Sequence, residues 1–198
     1  MGSIILSEET AYIDSNTTAP LIGAIVTLLI IFLGNTSGAH LNPAVTIGFS
    51  ISGAFEKKLV PGYIICQFLG ACIGSYVLHL IFPSNLNLGN TIPTATGPTS
   101  LFFEIILTFI LMLVILILSH GYKESGYMIA FIVGITIWLE IKFAGHISGA
   151  SMNPARSFGP ALITGNLSHM WLYTSGPIVG ATLAAFVFKK IRERNSIA

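Results

Sequence analysis

Long, nearly continuous apolar runs dominate the chain, and they are too uniform for one-sided helices or alternating strands. Runs at residues 19–34, 59–82, 100–119, 127–143 and 172–188 approach the roughly 20 apolar residues that a helix needs to cross a hydrocarbon core. Two shorter runs, 42–53 and 153–163, cannot cross alone. Each opens on Asn-Pro-Ala, with Pro43 or Pro154 in the first helical position, where a missing N–H costs nothing. The pattern predicts half-helices there. Between residues 82 and 100 it breaks into an uncharged Pro, Gly, Asn and Thr segment, which reads as a connector. The fold class expected is an all-α membrane protein.

Composition agrees and excludes other classes. Hydrophobic residues make up 53% of the 198 and charged residues 9%, against about 25% charged in an ordinary soluble domain. A formal net charge of +1 offers no basic surface, so nucleic acid is not an expected partner. Cys66 and Cys72 share one apolar run and read as small packing residues. His79, His120, His146 and His169 are too scattered for a metal site. No nucleophile and base pair or phosphate loop points to an enzyme, and no cofactor is expected. Residues 1–16 lack the basic start and small-residue cleavage site of a signal peptide.

The chain also repeats itself. Ser37-Gly38-Ala39-His40-Leu41-Asn42-Pro43-Ala44 is matched by Ser148-Gly149-Ala150-Ser151-Met152-Asn153-Pro154-Ala155, with Asn42 and Asn153 separated by 111 positions. Gly23 and Gly134 stand at the same offset, and Gln67-Phe-Leu-Gly70-Ala is echoed by Pro177-Ile-Val-Gly180-Ala. Duplication of this kind marks transporters and channels built from repeats. It divides one channel domain into a first repeat, 1–82, a linker, 83–99, a second repeat, 100–190, and a tail, 191–198. At the same offset, the position equivalent to Glu104 falls before Met1, so the first repeat reads as lacking its first transmembrane helix. Lys57, Lys58, Lys123 and the tail Lys189-Lys190-Ile-Arg192-Glu-Arg194 fall on one side of five alternating spans. The positive-inside rule makes that side, with the carboxyl terminus, cytoplasmic; Arg156 and the acidic amino-terminal segment around Asp14 then face out.

Irregular backbone at membrane depth survives only where it is buried in protein or lines water. Residues 37–41 and 148–152 would supply such backbone as a ladder of carbonyl acceptors. The half-helix N-termini would aim two positive dipole ends at one point. There the Asn42 and Asn153 amides would donate to a passing water, turning its hydrogens outward and interrupting proton transfer. Helix capping is the other reading of both asparagines, and the two roles are compatible. An intramembrane arginine such as Arg156 is a functional hypothesis by default, although a snorkelling surface charge would also place one near a membrane face. Glu104 is read as the deep carboxylate of the spans, accepting from the backbone of the second loop. Gly38, Gly70, Gly74, Gly149 and Gly180 are read as positions of close approach. Gln67 is expected to hydrogen-bond locally.

With its duplicated Asn-Pro-Ala motif and Arg156, the sequence resembles the aquaporins of the major intrinsic protein family from residue 2 to about residue 192. The resemblance implies six tilted helices, two half-helices meeting at mid-membrane, and a homotetramer in the plasma (inner) membrane with one pore per subunit. It also implies an outer constriction formed by Ile22, Ile141, Ala150 and Arg156, and a vestibule lined by His40. Strict water channels carry an aromatic and a histidine where this chain has Ile22 and Ile141, so the ring reads as wider and more apolar. Ile22 and Ile141 facing lipid is the competing assignment. Ser157, where glycerol facilitators have Asp, and Ala161 and Tyr173 are of water-channel type, whereas Thr174 replaces the usual tryptophan. Together with Leu139-Glu140 and Phe143-Ala144-Gly145 this is similar to the nodulin-like subgroup of plants and its bacterial relatives, which includes conductors of glycerol and undissociated metalloid acids. The function implied is a passive channel for water with small neutral solutes, excluding protons and ions. A glycerol or metalloid-acid facilitator and a non-conducting truncated channel are the alternatives.

Overall fold

The computed structural model describes residues 1–10, 15–121 and 126–195. Asp14, Lys123 and the end of the tail, residues 196–198, lie outside the described residues. The elements are α1 (Gly2–Glu9), α2 (Ser15–Ser37), α3 (Pro43–Ser52), α4 (Val60–Ile81, preceded by a 3-10 turn, Lys57–Leu59), α5 (Gly97–Gly121), α6 (Gly126–Ser148), α7 (Pro154–Thr164) and α8 (Met170–Asn195). Among the described residues, five helices are long and apolar enough to cross a membrane. α3 and α7 are the two short helices that open on Asn-Pro-Ala. No strand occurs among the described residues.

Two helices run past their expected ends. α2 continues to Ser37 and α6 to Ser148, although their apolar runs stop at residues 34 and 143. A serine at the last turn can fold its hydroxyl back onto its own helix, as Ser37 Oγ does toward the Leu33 carbonyl, 3.3 Å away. α3 and α7 each end on a glycine with left-handed φ, Gly53 at 84° and Gly165 at 74°, the stop that left-handed backbone favours.

α5 is the central helix of the second half. It packs along α8 and against α6, and Met112, Leu116, Ala181, Ala184 and Phe188 close one buried cluster between α5, α8 and α3. α2 packs along α6 at the repeated glycines: a Cβ on Gly23 would stand 2.5 Å from the Gly134 carbonyl oxygen. A side chain at that crossing would push the helices apart. Gly180 likewise lies against the α5 backbone at Ile105, whereas Gly70 and Gly74 meet nothing within 4 Å. The close-approach reading of Gly70 and Gly74 is therefore corrected for the described residues: α4 has no neighbour on that face.

Candidate functional site

The two loops ahead of the half-helices have one backbone conformation. Gly38, Ala39 and Leu41 have φ of 71°, 47° and 52°, and Gly149, Ala150 and Met152 have 86°, 43° and 54°. Non-glycine residues rarely enter this left-handed region, and two do so at equivalent places in each loop. The conformation stops the preceding helix from continuing. Among the described residues, the carbonyls of Gly38, Ala39 and His40, and those of Gly149, Ala150 and Ser151, accept no hydrogen bond from the protein. They are left as acceptors on the wall of a cavity of about 1440 Å³.

The loops meet at their asparagines. Asn42 caps α3, its Oδ1 accepting from Ala44 N at 2.9 Å, while its Nδ2 donates to the Met152 carbonyl at 2.7 Å. Asn153 caps α7, its Oδ1 accepting from Ala155 N and Arg156 N at 3.1 and 3.2 Å, while its Nδ2 donates to the Leu41 carbonyl at 2.9 Å. Each loop thus ties the other. A side-chain amide carries two N–H groups, so one remains on each asparagine, and both residues line the cavity. Pro43 and Pro154 occupy the first helical turns, and Ala44 and Ala155 are buried behind them.

Glu104 on α5 is fully buried. Its carboxylate accepts from Ser148 Oγ at 2.8 Å, Ser151 N at 2.9 Å and Met152 N at 2.8 Å, so it clamps the second loop at three points. Tyr173 donates to the Ser148 carbonyl at 2.6 Å, and Tyr63 donates to the Ser37 carbonyl at 3.0 Å. This tyrosine pair was not anticipated. The residues are 110 positions apart, one fewer than the motif offset, so a search in strict frame passes over them.

Ile22, Ile141, Ala150 and Arg156 all line the cavity, as do Gly38, Gly149 and His40. Ile141 packs against the cluster that contains Ala150 and Met152. The Arg156 guanidinium donates to Thr91 Oγ1. Thr91 in turn bonds Ser157 Oγ at 2.9 Å, and Ser157 Oγ bonds Ser151 Oγ at 2.5 Å. The connector is thus more than a link: it returns a buried threonine to the arginine, and Thr94 Oγ1 fastens it to the end of α6 through the His146 carbonyl at 2.5 Å. A threonine in an uncharged, irregular segment carries no sequence signal for this.

At the other end, His40 stacks on Phe49 with ring centroids 4.7 Å apart and meets Phe55 edge-on at 4.7 Å. Its Nδ1 is 3.1 Å from Thr46 Oγ1, to which Gln67 Nε2 also donates at 2.9 Å.

Two charged residues within α6 were given no site role by the sequence reading. Glu140 is a second deep carboxylate, buried with neither oxygen hydrogen-bonded, which corrects the reading of Glu104 as the deep carboxylate of the spans. Lys142 lines the cavity, its Nζ 6.0 Å from the Trp138 ring centroid. The signal was present in both cases, since an ionisable residue inside an apolar span is itself a functional hypothesis. No group of His, Cys, Asp and Glu suited to a metal occurs among the described residues.

Residues 2–188 match the family described as Major intrinsic protein. Aquaporin NIP1-1 of Zea mays is 42% identical over 174 residues, covering 87% of this chain and 62% of the maize protein. Nodulin-26 of Glycine max is 38% identical over 171 residues, covering 86% of this chain and 63% of the soybean protein. The chain therefore spans less than two thirds of the length of these curated relatives. The X-ray structure of the aquaglyceroporin from Plasmodium falciparum superposes with a TM-score of 0.89 at 28% identity, covering all of this chain and 91% of that one.

Proposed function

The chain belongs to the major intrinsic protein family, whose members are channels and not enzymes, and from that premise we propose that it forms a passive pore for water and small neutral solutes that excludes protons and ions. It is an integral, multi-pass membrane protein. The observation that carries the reading is the reciprocal asparagine tie, in which Asn42 holds the Met152 carbonyl and Asn153 the Leu41 carbonyl. That tie sets two half-helix N-termini against each other beside two runs of free carbonyls. A solute oxygen between the asparagines is offered the remaining amide N–H groups, and the carbonyls on either side accept its hydrogens. Two positive helix ends at one point oppose cations.

The test is an osmotic step on proteoliposomes followed by stopped-flow light scattering. Fast, weakly temperature-dependent shrinkage is expected; a rate equal to that of empty vesicles overturns the reading in favour of a non-conducting protein.

Solute range rests on Ile22, Ile141, Ala150 and Arg156, the outer constriction in this reading. Two isoleucines and an alanine beside one arginine make a ring with few fixed donors, which discriminates poorly against glycerol or an undissociated metalloid acid. Ile22→Phe with Ile141→His should reduce glycerol entry by at least tenfold while water flux changes less than threefold. Glycerol flux unchanged in that variant assigns the constriction elsewhere. The same reading includes a homotetramer in the plasma membrane, a cytoplasmic carboxyl terminus, and one channel domain with repeats at 1–82 and 100–190 joined by 83–99. Crosslinking in liposomes and protease protection of the tail test the assembly and the orientation.

A further inference from the structure

Among the described residues, the Lys and Arg side chains on the cavity wall have no Asp or Glu beside them there. They are Lys58, Lys142 and Arg156. Arg156 belongs to the constriction already discussed; Lys142 does not. It follows Ile141 on α6, and its ammonium is held toward Trp138. The nearest acid in sequence, Glu140, is buried off the cavity wall and forms no ion pair with it. Among the described residues Lys142 takes part in no ion pair.

Resting on the pore reading above, we propose that Lys142 is a second charge-selectivity residue of the outer mouth, which excludes cations independently of Arg156. A fixed charge acts over distance. At about 10 Å and an effective dielectric of about 20, it changes the local population of a monovalent cation by roughly tenfold. Two such charges multiply their effects, so a wide, apolar constriction can admit neutral solutes and still reject cations of the same size. The feature suits a channel whose ring is too open to select by shape.

Urea and guanidinium provide the test, since they share size and planar shape and differ in charge. Uptake of each is measured in proteoliposomes and divided by the water flux of the same preparation. Lys142→Met should raise guanidinium entry about tenfold and leave urea within twofold. Lys142→Arg should remain at the wild-type ratio, and Lys142→Met with Arg156→Val should exceed either single variant by a further factor of about ten. Guanidinium entry within twofold of wild type in Lys142→Met, or urea and guanidinium rising together, overturns the inference. A wild-type channel that passes water normally and leaks guanidinium as fast as urea overturns it too. A wild-type protein with no water flux instead overturns the pore reading, and this inference with it.

Discussion

The two re-entrant loops share their backbone and differ in what holds them. In the second loop, Ser151 N–H and Met152 N–H donate to Glu104, Ser148 Oγ does the same, and Met152 is 3% exposed. In the first, among the described residues, the N–H groups of His40 and Leu41 have no acceptor, and Leu41 is 37% exposed. Ser37 Oγ turns to its own helix at Leu33. The flanking helices differ likewise: half of the apolar window of α8 is buried, but 6% of that of α4. The cavity accordingly extends beyond the asparagines, with Gly62, Cys66 and Gly70 of α4 and Leu29 of α2 on its wall. Among the described residues the left-handed conformation occurs both with and without a carboxylate hydrogen-bonded behind the loop, and the short motif and the asparagine tie are what the two loops share. What α5 adds is a paired backbone and a closed wall.

The strongest way to break this contrast is to remove the clamp. Glu104→Leu strands two buried N–H groups at about 1–3 kcal/mol each, so the thermal unfolding midpoint of the detergent-solubilised protein should fall sharply and water flux should approach that of empty vesicles. Retained flux would mean that the asparagine tie alone suffices. Next come the paired glycines. Gly180→Ala drives a Cβ into the α5 backbone, with Phe109 N only 2.9 Å away, and should cost about 1–3 kcal/mol. Gly70→Ala meets nothing within 4 Å and should stay within about 0.5 kcal/mol of wild type. Equal losses in thermal melts would erase the asymmetry.

The tyrosines sharpen the contrast further. Tyr173→Phe leaves a buried carbonyl on Ser148 without its donor and should cost about 1–2 kcal/mol. Tyr63→Phe acts at a partly buried carbonyl on Ser37 and should cost about half as much.

Much of this was legible in the chain. Uninterrupted apolar runs cannot satisfy their backbone in lipid except as helices, so the five spans could be read without knowing any neighbour. Asn-Pro-Ala is local chemistry, a cap followed by proline in the first turn, and it marked both half-helices. Features set by tertiary packing were less visible. Thr91 acquires a role only when the connector folds back on Arg156. The tyrosine pair is hidden by a one-residue slip between repeats. Gly70 and Gly180 look alike in sequence, and only the presence of α5 beside one of them separates their roles.

The asparagine tie also imposes an order on synthesis. Asn42 finds its acceptor 110 residues later, at Met152, and Asn153 reaches back 112 to Leu41. While the chain is being made, the first re-entrant segment enters the bilayer with a buried amide unpaired. It must wait for three further long helices before its partner emerges. Closure of the loop pair is thus a late step, and a nascent chain halted before Met152 lacks the acceptor that Asn42 holds in the folded protein.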